Sequence, residues 1–336
     1  MSENELSQKV NEIKHSPDLV LDEQPLPSEK ELFKKLMLTK DFIWKNNFSQ
    51  DDIENWLSNF KGCVFGIQHE RQIALWLLSN FVYYNIAEVK HLCKTLFRDF
   101  IHYMLINENQ KQTIRKSLKD ILKESRFYPL GGAGESGAYI MYYFRQENNL
   151  SKKMISQPDK LPNIKNKIFV DDVTISGNQA EKYLKEYIDD NKNIFLLTLI
   201  STYESVELLE KKNIKVISCI TLDERSKCFS EMSDIFNNYI NKLDDCKKFA
   251  IEYGVKSLEF HDMEMDPLGY NGGEYTFGFF YNTPNNTLPI FWADNSGWKP
   301  IMKRYEKRIH FKSNGKLEKY NHTILRITAS VANIDR

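Results

Sequence analysis

Hydrophobic positions change their spacing about a third of the way along this chain. Up to about residue 125 they recur at helical intervals; Ile53, Trp56, Leu57 and Phe60, for example, fall at i, i+3, i+4 and i+7. Helix starts are marked too: Ser28 with Glu31 forms a capping-box signature, and Ser49 with Asp52 a looser one. Further helices are predicted at about 69–86, 87–105 and 109–124, and the apolar run IALWLLSNFVYY (73–84) reads as a buried helix. Residues 28–125 show no strand-like alternation and are predicted to form an all-α region. Residues 1–27 are polar, end in LDEQPLP, and are expected to be an extended or poorly ordered arm.

From residue 126 short apolar runs alternate with helical stretches. RFYPL (126–130) precedes a glycine loop and a helix through AYIMYYFRQ (138–146), and the polar residues 147–166 read as a mobile connection. Strands are predicted at KIFV (167–170), IFLLTLI (194–200) and IKVISCI (214–220), with helices over 179–190 and 203–213 between them. Such alternation indicates an α/β domain over 126–336, with a parallel sheet covered by helices on both faces. Two more strands are expected at YTFGFFYN (275–282) and LPIFW (288–292), then a basic stretch from 298 and a closing strand at 323–332.

Composition narrows the class of protein. Of 336 residues 41% are hydrophobic, including 21 Phe and 17 Tyr, enough for a sizeable core. Lys plus Arg and Asp plus Glu balance at 46 each, which argues against nucleic-acid binding driven by net charge. A local basic patch over 299–312 is the candidate for nucleic-acid contact, with a solvated helix face as its commoner meaning. The five cysteines form no C-x-x-C pair, so neither a disulfide framework nor a cysteine zinc site is expected and a cytoplasmic setting is the natural one. No apolar run is long enough to span a bilayer, so no membrane association is expected.

Two stretches carry the chemistry. IFVDDVTISGNQA (168–180) runs a buried strand into Asp171 and Asp172, where a parallel sheet places its ligands. Gly177 permits a tight turn, and the following helix aims its N-terminus back at the same crevice. With the hydroxyls of Thr174 and Ser176, that terminus suits a phosphate monoester, while the acids suit the hydroxyls of a ribose. A strand ending in Asp-Asp also occurs in Walker B strands and acidic receiver pockets, although a Walker B strand needs no phosphate loop of its own. The second stretch, GAGESGAY (132–139), begins like a P-loop, but Ala138 and Tyr139 occupy the lysine and hydroxyl slots of G-x-x-x-x-G-K-[S/T]. A nucleotide triphosphatase therefore fails at both of its chemical residues.

Apolar strand, two acids, Thr/Ser/Gly loop and helix together resemble the phosphoribosyl-diphosphate signature of type I phosphoribosyltransferases. The resemblance implies a parallel-sheet phosphoribosyltransferase-like domain behind the all-α region. It makes Asp171 and Asp172 the ribose-diol and Mg2+-associated acids, and Thr174, Ile175, Ser176, Gly177, Asn178 and Gln179 the 5-phosphate loop. Gly131, Gly132, Ala133, Gly134, Glu135 and Ser136 become the pyrophosphate loop, in the expected order before the acids. Three positions depart from the family: Glu135 repels a diphosphate unless magnesium intervenes, Ile175 stands where purine-specific members can carry an acid, and Gln179 replaces the usual loop-closing Thr.

A looser similarity joins FYPLGGAGESG, IFVDDVTISGNQ, LDERSKCFS (222–230) and NTPNNTLPIFW (282–292) to phosphoribosyltransferase-like proteins of prokaryotic conflict systems. It implies an effector or accessory subunit of anti-phage defence with a protein partner. The ligand implied is phosphoribosyl diphosphate or a nucleotide, reacting at ribose C1 by phosphoribosyl transfer or N-glycosidic cleavage. The alternative is a catalytically inactive nucleotide sensor or structural subunit. Trp292 and Trp298 are candidates to stack on a base, against their commoner use as core residues.

Overall fold

The computed structural model describes residues 25–45, 47–110, 117–132, 135–155, 164–188, 193–259, 266–294, 297–302 and 304. The chain divides into a unit of residues Met1–Arg304 and a short one, Tyr305–Arg336, and the latter lies outside the described residues. The expected closing strand and most of the basic stretch fall there, and most of the arm lies before residue 25.

The first helices are α1 (Glu29–Phe42), α2 (Gln50–Leu57) and α3 (Ile67–Ser79). Both capping boxes form as their sequences indicate: Ser28 and Ser49 each accept from the third helical amide, and the Glu31 and Asp52 carboxylates reach back. These helices share one apolar core with residues from 228–302, including helix α9 (Leu243–Ser257).

The region before 126 is not wholly helical. The predicted 69–86 helix stops at Ser79, and Val82–Tyr84 forms a strand, β1, paired in parallel with β6 (Phe277–Phe279). Helix α4 (Ile86–Gln110) then starts afresh. Its cap is legible afterwards: Asn85 Oδ1 accepts from the amides of Ala87 at 2.9 Å and Glu88 at 3.1 Å, and Glu88 returns a carboxylate to the Asn85 amide at 2.8 Å. Asn85 and Glu88 repeat the capping-box spacing inside what reads as continuous helix.

Helix α5 (Leu118–Lys123) leads into the main sheet, whose strands run in parallel in the order β2 (Ser125–Pro129), β3 (Asn166–Thr174), β4 (Asn193–Thr202) and β5 (Ile214–Leu222). Helix α4 and helix α6 (Ser136–Glu147) bury one face around Phe100, Phe127, Phe144 and Val170. Helices α7 (Asn178–Leu184) and α8 (Tyr203–Glu210) bury the other around Tyr128, Phe169, Leu196 and Ile214. Helices on both faces of a parallel sheet explain why these strands read as continuous apolar runs. In contrast, LPIFW is not a strand: Pro289–Trp292 is a short helix, α10, with Pro289 in its first turn.

The ladder is interrupted near the carboxyl edge of the sheet, with its register kept on either side. Pairing runs through Asp171↔Thr198↔Ser218 and resumes at Val173↔Ile200↔Ile220, omitting the row between. Leu199 and Ile200, although consecutive, pack on the same core, as do Cys219 and Ile220. The Thr198 and Ser218 hydroxyls each donate to the carbonyl two residues on, at 3.0 and 2.8 Å, and fill the irregularity. Breaks of this kind re-aim side chains beside functional sites. This one lies in the row that carries Asp172.

Candidate functional site

The acid pair lies within strand β3 rather than beyond it. Asp171 and Asp172 are 8% and 6% exposed, and no Lys or Arg pairs with either among the described residues. Ser136 Oγ, at the start of α6, donates to Asp171 Oδ1 at 3.0 Å. Tyr281 donates its hydroxyl to Asp172 Oδ2 at 2.9 Å, and the Val173 amide donates to Asp172 Oδ1 at 2.8 Å. Burial, reinforced by the Asp172 carboxylate beside it, pushes Asp171 well above the ordinary carboxylate range. Burial raises Asp172 as well, against the hydrogen bonds it accepts. Two like charges without a counter-cation oppose each other's ionisation.

Two strand–loop–helix units flank the pair. In the first, β2 leads through Gly131 and Gly132 into α6. Gly131 sits at φ 83° and Gly137 lies where the helix touches the sheet; a Cβ on Gly137 would approach the Leu130 carbonyl oxygen to 2.2 Å and that of Val170 to 3.0 Å. Glycine at 137 therefore lets α6 approach the acids closely. The Glu135 carboxylate folds over this loop, near enough that a Cβ on Gly131 would fall 1.8 Å from Oε2. Ala133 and Gly134 lie outside the described residues.

The second unit joins β3 to α7 through residues 174–177. Gly177 takes φ 73°, and a Cβ there would meet Leu208 Cδ2 at 2.9 Å and Ser205 Cα at 3.3 Å. Helix α8 pins the loop by its carbonyls: Ser205 Oγ donates to Thr174 O at 2.9 Å and Thr202 Oγ1 to Ile175 O at 2.7 Å. Thr174 Oγ1 is buried without a partner. Ser176 Oγ accepts from the Asn178 amide at 3.4 Å, Asn178 and Gln179 are exposed, and the Ile175 side chain packs on the core. Ile175 can therefore contribute only its backbone.

Tyr281 carries no signal in the sequence near the acids, because it stands 109 residues from Asp172. It belongs to the turn after β6, closed by the Phe279 amide donating to Asn282 O at 2.8 Å. Its ring stacks on Phe279 at 5.4 Å and lies 4.5 Å from Tyr139. Tyr139, in the hydroxyl slot of the failed P-loop pattern, thus serves as an aromatic wall. Burial, followed by the Asp172 charge, raises the Tyr281 phenol.

The remaining candidates lie elsewhere. Trp292 and Trp298 are core residues, 1% and 6% exposed, whose indole N–H groups donate to Thr287 O and Ile290 O. Neither is placed to stack on a base. In the basic stretch, Lys299 donates to Asn55 and Ser58, and Arg304 to Thr283 O at 2.7 Å with its guanidinium over the Trp292 ring. All five cysteine thiols are free, and no helix among the described residues is long and apolar enough to cross a membrane.

A family model described as PRTase-CE matches residues 53–304, which include both loops, the acid pair and Tyr281. No curated protein matches the chain. Among solved structures, an orotate phosphoribosyltransferase from Aeropyrum pernix is 18% identical, over 31% of this chain and 62% of its own, with a TM-score of 0.25. The AQ2163 protein from Aquifex aeolicus is 13% identical over 57% of this chain and 95% of its own, with a TM-score of 0.24.

Proposed function

Because the chain belongs to the PRTase-CE family, a phosphoribosyltransferase-like family, we propose that it binds phosphoribosyl diphosphate or a nucleotide around Asp171 and Asp172 and reacts at C1 of the ribose. One observation carries this reading: two adjacent buried carboxylates, unpaired with any cation among the described residues, lie between two glycine-containing loops at the carboxyl edge of a parallel sheet. The acids would accept hydrogen bonds from the ribose 2- and 3-hydroxyls. The orphaned Thr174 hydroxyl and the amides of residues 176–179 would hold the 5-phosphate. Residues 131–136 would hold the leaving diphosphate, and Ser136, bonded to Asp171, would couple the two loops.

Mg2+ suits this donor set. Two carboxylates without a counter-cation leave places for substrate phosphate oxygens and water, the usual way this ion binds. Among the described residues no group of three or more His, Cys, Asp or Glu gathers to hold a metal by protein alone. Asp171 and Asp172 would hold Mg2+, whose charge would offset that of the leaving diphosphate. The chain's own part is to fix the ribose while the C1–O bond breaks, its electron pair leaving with the diphosphate. An acceptor nitrogen, or water, then supplies the new bond to C1.

Two observations favour a second reading, a subunit that binds the nucleotide without turning it over. The Glu135 carboxylate lies over Gly131, where a diphosphate would rest, and Tyr281 occupies Asp172. The similarity to conflict-system proteins supports placing either form in anti-phage defence, beside a protein partner.

Calorimetric titration of phosphoribosyl diphosphate with Mg2+ tests both. Micromolar binding is expected, and loss of it in the Asp171→Asn/Asp172→Asn double variant. A folded wild-type protein that binds nothing would sink both readings. Release of pyrophosphate or a free base separates turnover from sensing.

A further inference from the structure

A cleft of about 300 Å3 opens at the carboxyl ends of β4 and β5, and the ribose-phosphate reading leaves it unused. Its walls come from Ile200, Leu222 and Ile235 on one side, and from Tyr84, Tyr275 and Phe277 of the β1–β6 ribbon and its approach on the other. The volume lies at the small end of small-molecule sites, and apolar walls with a few polar groups are the usual lining of such sites. It suits one ring system.

Tyr275 is the most informative wall residue. It is 2% exposed and lines the cleft. A phenol in such a wall can both donate to a ligand and accept from one. Burial raises this phenol, and the carboxylates of Glu204, Glu224 and Asp223 raise it further, so the mouth of the cleft is acidic.

Charge balance sharpens the picture. Asp223 is taken by Arg225, whose Nε and Nη2 donate to it at 2.9 and 2.7 Å, and Glu224 by Lys227. Arg225 lines the cleft beside Asp234 and feels its charge, while Glu204 has no cation paired with it among the described residues. Four carboxylates, Asp223, Glu224, Asp234 and Glu204, thus stand against two cations, Arg225 and Lys227, and the charge around the aromatic slot is negative on balance. Such a slot attracts a cation over its ring faces and repels an anion.

We propose that this cleft is a binding site for a small planar aromatic molecule carrying a donor or protonated nitrogen, such as an aromatic amine or amidine. The ring would lie among Tyr84, Tyr275 and Phe277, with its nitrogen directed to the Tyr275 hydroxyl and Asp234. The site stands on the cleft alone and is independent of the ribose-phosphate reading.

Benzamidine and benzoate share one shape and differ in charge, which makes them the probes to use. Titration of each into the full chain, followed by ligand-observed NMR or calorimetry, should show benzamidine binding at least about tenfold more tightly, the scale of attraction to two nearby carboxylates. Tyr275→Phe keeps the ring and removes the hydroxyl; it should weaken benzamidine by about three- to tenfold. Asp234→Asn should weaken benzamidine and relieve the exclusion of benzoate. Thermal unfolding of both variants checks that they remain folded. Equal binding of the two probes, no binding of either, or unchanged affinity in both folded variants would overturn the site. The Asp171→Asn/Asp172→Asn double variant should keep benzamidine binding, so failure here and failure of the ribose-phosphate site are separate results.

Discussion

Among the described residues, carboxylates are buried in two places and treated in opposite ways. Glu70, on α3, is fully buried and accepts from the amides of Gly62, Val64 and Phe65 and from the Tyr253 hydroxyl. Burial pushes its carboxyl up, but the Tyr253 hydroxyl and the three amides outweigh that and hold it below the ordinary range. Asp171 and Asp172 are nearly as buried, yet they share few donors and face each other, and both are pushed up. A buried charge with every lone pair answered serves structure. One left short of partners is free to serve a ligand, and such perturbed groups gather at functional sites. The contrast gives the two sites opposite dependence on pH.

The largest effect is expected at Glu70, which ties α3 to the 62–65 loop and to Tyr253 on α9. Glu70→Ala strands three backbone N–H groups in the interior, and about 3–5 kcal/mol of stability should be lost in urea unfolding. Because the folded carboxyl lies below its unfolded value, its stabilisation is present above the ordinary carboxylate range and disappears as pH falls through the folded value. Glu70→Gln should therefore flatten the acid limb of the stability curve. A loss under about 1 kcal/mol for the alanine variant would mean that the loop stands without its clamp.

Asp171 should behave the other way. Its folded carboxyl lies above the unfolded value of 3.8, so its favourable contribution is present below that value and is lost as pH rises through the folded one. Asp171→Asn removes the ionisation that burial opposes. The variant should gain about 1 kcal/mol near neutral pH, and the gain should shrink as pH falls toward 4. Thermal unfolding across a pH series measures this. A loss of stability at neutral pH would make Asp171 a structural acid like Glu70.

How far each site was legible follows from where its partners lie. Asp171, Asp172 and the 174–179 loop are contiguous, and a strand running into acids and then a glycine turn states its geometry directly. The Glu70 clamp was not legible, because three of its donors are backbone amides, which leave no mark in a side-chain pattern. Strand β1 was missed for a related reason: Val82–Tyr84 is too short to show alternation, and its partner lies at Phe277–Phe279. LPIFW misled because a short apolar run does not distinguish strand from helix, although Pro289 at a helix start was the available clue. The ladder interruption beside Asp172 involves three strands at once and has no local signature.

Tyr281 is where the comparison can be sharpened with the smallest perturbation. Its hydroxyl gives Asp172 a donor that a ribose hydroxyl would otherwise supply, so in the unliganded protein it makes the acid pair resemble Glu70 a little more. Tyr281→Phe keeps the ring against Tyr139 and Phe279 and removes only that donor. Stability should change by no more than about 1 kcal/mol, the net worth of one hydrogen bond. If the ligand displaces the phenol from Asp172, affinity for phosphoribosyl diphosphate should rise by about threefold in the variant, since binding no longer breaks that bond. A fall of similar size would mean that the phenol stays and touches the ligand itself, making Tyr281 part of the site rather than its cover.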